Sequence, residues 1–209
     1  MNKKEKKRLR NSSMISNKFL VLIFSLLIFS KSLFAIEESK IKDVMQEKID
    51  NVISILQQKD KTLKERTDKI FSIMDALFDY NVMSQIALGK DWKNLSSEEK
   101  AEFTKLFETK LKNSYIDKLD LYTNQKIEID GVDKLNPKRI RLITHLIGKD
   151  EKYEIEYKFY KNSNDDWLIY DVNIIGVSIM QTYRQQFAGY LKNKSFKDLL
   201  LTLNTKTTN

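Results

Sequence analysis

Apolar residues recur at intervals of three and four in the first part of the chain beyond residue 40. Ile41, Val44/Met45, Ile49, Val52/Ile53 and Leu56 form one set, and Leu63, Thr67, Ile70, Met74 and Leu77 a second. Two amphipathic helices are predicted. Asp79-Tyr80-Asn81 offers capping chemistry for a short helix containing Met83, Ile86 and Ala87, with Gly89 placed to end it in the left-handed region. Ser96-Ser97-Glu98-Glu99 reads as a capping box behind Leu95, opening a long helix whose stripe is Phe103, Leu106/Phe107, Leu111, Tyr115, Leu119 and Tyr122. From Lys126 the period drops to two, most clearly over residues 152–159, where Tyr153, Ile155, Tyr157 and Phe159 alternate with charged residues. Ile127/Ile129 and Ile140/Leu142/Thr144/Leu146 continue the inward set, Pro137 marks a turn, and Asn162 to Asp166 joins two strands as a hairpin. A helix from about Val177 to Leu191 and a last short one, capped by Ser195 with Asp198, complete the pattern. The expected fold class is α+β: about five or six helices packed on one face of a twisted, roughly four-stranded antiparallel sheet.

The N-terminus changes how the composition is read. Lys3, Lys4, Lys6, Lys7, Arg8, Arg10 and Lys18 precede a run from Phe19 to Phe29 broken only by Ser25, and Ser32-Leu33-Phe34-Ala35 follows. This is the layout of a cleavable signal peptide over residues 1–35, with a single domain over 36–209. Eleven residues make about 16 Å of helix against a hydrocarbon core of roughly 30 Å, so a membrane-spanning anchor is the weaker alternative, although Leu33 is large for its position. Without cysteine the chain has no site for lipoprotein acylation and no disulfide. The formal charge of +8 belongs almost wholly to the leader, since 29 basic and 28 acidic residues remain beyond residue 35. That balance removes the argument for nucleic acid as a partner.

Candidate chemistry is sparse. His145 is the one histidine, so neither a zinc site nor a Ser-His-Asp arrangement has its raw material, and its parity places it opposite the core face. The five glycines never cluster into a phosphate loop. Asp171 interrupts an apolar strand and could serve as a general base on a cone-like α+β fold, but a structural hydrogen-bonding role, or pairing with Arg184, fits its parity better. A peptide-binding or chaperone module is a third possibility. No metal or cofactor is expected, and no enzyme activity.

One ordered set of residues goes further. Phe78-Asp79, Met83, Ala87-Leu88-Gly89, Trp92, Leu95-Ser96, Glu99, Phe103, Phe107, Leu111, Tyr115, Leu119 and Tyr122 are followed by Trp167, Tyr170-Asp171-Val172, Gly176-Val177-Ser178, Tyr183-Arg184 and Phe187. This order resembles the MlaC / toluene-tolerance family of periplasmic phospholipid-binding proteins over roughly residues 75–203. Val82 and Gln85 stand where many members have arginines, Ile175 where a glutamate usually precedes Gly-Val-Ser, and Ser195 where a glycine is expected. The resemblance implies a periplasmic carrier that moves phospholipid between outer and inner membranes and maintains outer-membrane lipid asymmetry. It also implies docking to an inner-membrane MCE-domain ABC transporter and an outer-membrane lipoprotein complex, by a monomer that does not itself span a membrane. The acyl chains would occupy an apolar pocket walled by Phe103, Phe107, Leu111, Tyr115, Leu142, Tyr153, Ile155, Tyr157, Phe159, Tyr170, Val172, Val177, Tyr183 and Phe187. From periodicity alone the same residues could equally form a filled core.

Overall fold

The computed structural model describes residues 36–205; the segment expected to be a signal peptide lies outside them. Four helices come first: α1 (Ile41–Leu56), α2 (Leu63–Met74), α3 (Tyr80–Leu88) and α4 (Ser97–Asp120). Local chemistry fixes their starts. The Ser96 hydroxyl accepts the Glu99 N–H, and the Glu99 carboxylate accepts the Ser96 N–H at 2.8 Å. Thr62 and Glu65 make the same reciprocal box at the start of α2, and a Thr-x-x-Glu spacing in the sequence would have predicted it. Asp79 caps α3 by accepting the Val82 N–H, and Gly89 ends it at φ 59°, ψ −124°. The expected second helix stops three residues early, because Asp75–Leu77 tightens into a 3-10 turn.

A single antiparallel sheet follows, in the order β1 (Lys126–Asn136), β2 (Arg139–Ile147), β3 (Lys152–Lys161), β4 (Trp167–Ile174) and β5 (Val177–Ser178). β5 occupies the first residues of what the periodicity assigns to the next helix, which is α5 (Ile179–Tyr190); α6 (Phe196–Asn204) closes the chain. Pro137 and the 162–166 tract form the predicted turns. The β4–β5 turn places both Ile175 (φ 51°) and Gly176 (φ 78°) at positive φ, as a two-residue hairpin of matching twist requires.

The sheet face is set by register. Ile140, Leu142 and Thr144 on β2 stand opposite Phe159, Tyr157 and Ile155 on β3, and all point inward. On β4 the inward set is Trp167, Ile169, Val172 and Ile174, because a bulge between Lys158/Phe159 and Asp171/Ile169 inserts Tyr170 as an extra residue. A bulge shifts the parity of everything beyond it, which no strict alternation can reveal. Tyr170 consequently turns to the other face, where its ring meets Tyr160 at 6.1 Å and lies 4.2 Å below the Arg139 guanidinium.

Three apolar clusters hold these elements. In the first, Ile41, Met45 and Ile49 of α1 cover the inner sheet face. The second joins Met83, Ala87, Phe103, Phe107, Leu111, Met180, Phe187, Leu199 and Leu203 from α3, α4, α5 and α6. The third packs Tyr122 against Ile55, Leu56 and Ile70, with Leu119 beside them. The long aromatic stripe of α4 is therefore divided. At 1.5 Å per residue a 24-residue helix runs about 36 Å, too far for one set of partners.

Candidate functional site

The first and second clusters meet at two residues, Phe78 and Ile179, each packed against both. At this seam the structure opens a groove of about 250 Å³ lined by Tyr115, Ile174, Val177, Ile179, Thr182, Tyr183 and Gln186. No side chain in that lining carries a charge. Ile174 arrives on the inward face of β4, Val177 on β5, and Ile179, Thr182, Tyr183 and Gln186 from the first two turns of α5. Tyr115 comes from the C-terminal half of α4.

The floor on the helical side is a cluster of rings. Phe107 meets Tyr183 edge to face at 5.0 Å and Phe187 at 5.6 Å, while Phe103 stacks on Phe107 at 5.6 Å. Burial, with Tyr183 nearby, pushes the Tyr115 hydroxyl up to about 12, and burial alone does the same for Tyr157. Both groups are neutral at physiological pH. The Tyr183 hydroxyl lies 3.2 Å from Ser114 Oγ.

The residues expected to wall a pocket separate into groups. Tyr115, Val177 and Tyr183 line the groove. Phe103, Phe107, Leu111 and Phe187 lie behind it in the helical cluster, and Leu142, Ile155, Tyr157, Phe159 and Val172 in or against the sheet-side cluster. Tyr170 faces away, for the reason given by the bulge. Tyr153, though on the inward parity, is exposed near the start of β3, where its hydroxyl donates to Glu151. Ile174, Ile179, Thr182 and Gln186 line the groove without having been expected to; Ile174 shares the alternation of Val172 on β4, but nothing local in the sequence marks any of the four as groove-facing.

Asp171 sits on the opposite side of β4 from Val172 and is buried. It accepts from Ser178 Oγ at 2.7 Å, from the Met180 N–H at 3.1 Å and from Lys158 Nζ at 3.4 Å. The hydrogen-bonding role expected of it is realised, but Arg184 is not among its partners; that guanidinium instead lies over Gly89, where an added Cβ would come within 3.0 Å of Nε. His145 projects from β2, an interior strand, between Asp130 (2.7 Å from Nδ1) and Glu154 (3.9 Å from Nε2). Among the described residues no group of three His, Cys, Asp or Glu side chains could hold a metal ion, and no helix is long and apolar enough to cross a membrane.

Comparison with known proteins agrees with this geometry. The intermembrane phospholipid transport system binding protein MlaC of Haemophilus influenzae is 28% identical over 192 residues, spanning 88% of this chain and 89% of that protein. A phospholipid-binding protein from Ralstonia solanacearum, solved in complex with a phospholipid, superposes with a TM-score of 0.67 over 78% of this chain and 93% of its own, at 21% identity. That match establishes the α+β fold. The family profile described as MlaC protein matches residues 46–205, most of the described chain, and the protein belongs to the MlaC family.

Proposed function

We propose that this chain is a periplasmic phospholipid carrier, exported by a signal peptide cleaved after Ala35, that shuttles lipid between the outer and inner membranes. The observation that carries this reading is the uncharged groove at the seam between two separately packed cores. Such a seam is the place where an apolar chain can enter by parting side chains, without exposing a buried charge. The phospholipid named for the Ralstonia solanacearum protein and the transport system named for the Haemophilus influenzae relative supply the ligand class.

The magnitudes favour a seam that widens. At ~0.8 kcal/mol per methylene, two acyl chains of roughly 15 buried carbons represent on the order of 24 kcal/mol of gross transfer energy. A groove of about 250 Å³ lies below the ~300–1,000 Å³ of ordinary ligand sites. Chains therefore displace Ile174 and Ile179 from Tyr115 and Tyr183, and replace those contacts with their own. Binding is then close to an exchange of apolar contacts, which allows release. Phe103, Phe107, Leu111, Phe187, Ile155, Tyr157 and Val172 become deeper wall as the seam opens, and the headgroup remains at the mouth. The groove lining holds no carboxylate, imidazole or amine, and Asp171 has its oxygens occupied by three donors, which supports a carrier over a catalyst. Direction and the maintenance of lipid asymmetry are assigned to partners: an inner-membrane MCE-domain transporter and an outer-membrane lipoprotein complex.

The test is transfer between vesicles. The purified protein should accelerate movement of a fluorescent phospholipid from donor to acceptor liposomes in proportion to its concentration. Transfer no faster than in buffer would oppose the reading.

A further inference from the structure

One end of the sheet collects exposed apolar side chains. β1 begins at Lys126 opposite Ile147 of β2, β3 begins at Lys152 opposite the same residue, and β4 ends at Ile174 opposite Ile155. Three connections therefore meet at this end: residues 121–125 before β1, 148–151 between β2 and β3, and the 175–176 turn after β4. Gln125 lies against Gly148, and the Ile175 N–H donates to the Glu154 carbonyl at 2.9 Å, next to Tyr153 in the chain.

Seven large apolar residues stand exposed among the described ones, and four of them lie on this rim: Leu121, Tyr153, Ile175 and Val177. Leu121 is 75% exposed, and Ile175 and Val177 are 61% exposed each. The rim is continuous with the groove. Val177 belongs to both, Ile175 follows the groove residue Ile174 directly, and Leu121 ends the helix that supplies Tyr115. Ile175 holds φ 51° with a β-branched side chain, where glycine or asparagine would carry the turn at lower cost, and its exposure leaves little packing within the chain to offset that cost. A strained residue that the fold itself does not need points to a contact outside the chain.

A lipid surface fits this rim better than a protein does. Its apolar side chains project singly from a helix end, a strand start and a turn, and do not form one flat patch of the ~800 Å² per partner that a stable protein interface buries. Lys126, Lys149 and Lys152 stand exposed among them, with no ion-pair partner among the described residues. Of the two acids in the 148–151 connection, Asp150 and Glu151, the second accepts the Tyr153 hydroxyl. Short apolar anchors interleaved with lysines, beside a tyrosine with an apolar ring and a polar tip, suit the boundary between headgroups and acyl chains.

We propose that this rim docks the protein on a phospholipid bilayer, with Leu121, Ile175 and Val177 entering the headgroup region and the lysines meeting lipid phosphates, so that the groove opens toward the lipid it takes up. That last consequence rests on the carrier reading; the docking does not.

The test uses the protein recovered after expression of the full-length chain and two readouts. One is flotation with phosphatidylcholine vesicles containing about a quarter phosphatidylglycerol. The other is capture of a fluorescent phospholipid, either from those vesicles or from a methyl-β-cyclodextrin complex that presents no bilayer. Leu121→Ser/Ile175→Asn leaves the groove lining intact, and both residues are exposed, so the variant should fold. The parent should float with the vesicles, and the double variant at least about fivefold less; its capture from vesicles should fall by a similar factor while capture from cyclodextrin stays within about twofold. Leu201→Ser, which removes an exposed apolar residue of α6, should behave as the parent. Flotation of the double variant equal to that of the parent, or an equal loss in Leu201→Ser, would overturn the proposal. So would a parent that does not float, which would leave the rim to a protein partner. If the parent floats, the double variant does not, and neither lipid source loads the parent, the docking stands and the carrier reading fails.

Discussion

The Asp171 carboxylate accepts the backbone N–H of Met180 at 3.1 Å, tying the fourth strand to the first turn of α5. Its other oxygen takes the Ser178 hydroxyl, and Ser178 in turn caps the same helix by accepting the Gln181 N–H. A carboxylate at a helix start satisfies donors that the helix itself leaves open and meets the positive end of its dipole. One buried acid thus sets how α5, and with it Ile179 and Tyr183, meets the sheet.

Asp171→Ala should therefore destabilise the protein by about 2–4 kcal/mol, because it strands a buried N–H and the Lys158 ammonium together. Urea unfolding followed by circular dichroism measures this. A loss under 0.5 kcal/mol would show that the contact does not fasten the helix.

Phe107 and Tyr153 were both legible as inward apolar positions, and the structure gives them different weights. Phe107 is fully buried among Phe103, Tyr183 and Phe187, whereas Tyr153 is 37% exposed. Phe107→Ala should cost about 3–5 kcal/mol and Tyr153→Ala within about 1 kcal/mol. Equal losses in the same unfolding assay would contradict this division.

These two residues also illustrate what a sequence can and cannot carry. Periodicity located the helices and strands because each element buries one face, and the Ser96 and Ser195 boxes were readable because capping is local. The orientation of Tyr170 was not, since it depends on a bulge created by pairing with β3. Nor was the splitting of the α4 stripe between two clusters, a consequence of which distant elements reach each turn. The groove lies at the meeting of two cores, and a seam is a property of packing rather than of any one segment. Tyr115, Val177 and Tyr183 were found through the resemblance to a family; Ile174, Ile179, Thr182 and Gln186 required the fold.

Ile175 is a β-branched residue held at φ 51° in an exposed turn. A left-handed conformation of that kind costs roughly 1–2 kcal/mol and is ordinarily given to glycine or asparagine. Ile175→Asn should raise the unfolding free energy by about 1 kcal/mol. A decrease in thermal midpoint would mean that the side chain makes a compensating contact.

Thr182 is exposed on α5 and lines the groove. Thr182→Trp should fill part of that space, leaving stability within about 1 kcal/mol but reducing capture of fluorescent phospholipid from vesicles at least about tenfold. Undiminished capture by a normally folded variant would place the lipid elsewhere.

The tyrosine hydroxyls set an alkaline limit. Tyr115 and Tyr157 are pushed from about 10 in the unfolded chain up to about 12 in the folded one, so the native state holds their protons more tightly. Their contribution to stability is complete below pH 10 and is lost as the pH rises from 10 through 12. Tyr157→Phe should flatten the decline of the unfolding free energy in that window relative to the parent protein. Spectrophotometric titration at 295 nm checks the same point, since Tyr115 and Tyr157, together with Tyr80 and Tyr160, whose hydroxyls burial and a neighbouring carboxylate push up further still, should ionise late and together with unfolding.

The central claim concerns a ligand held in the seam between Ile174, Ile179, Tyr115 and Tyr183. Native mass spectrometry of the protein purified from a periplasmic fraction, followed by organic extraction, measures it most directly. The account predicts a bound species with the mass of a phospholipid, recovered in the extract and absent or much reduced in Thr182→Trp. A protein that arrives without phospholipid, and takes none up when incubated with vesicles, would contradict it.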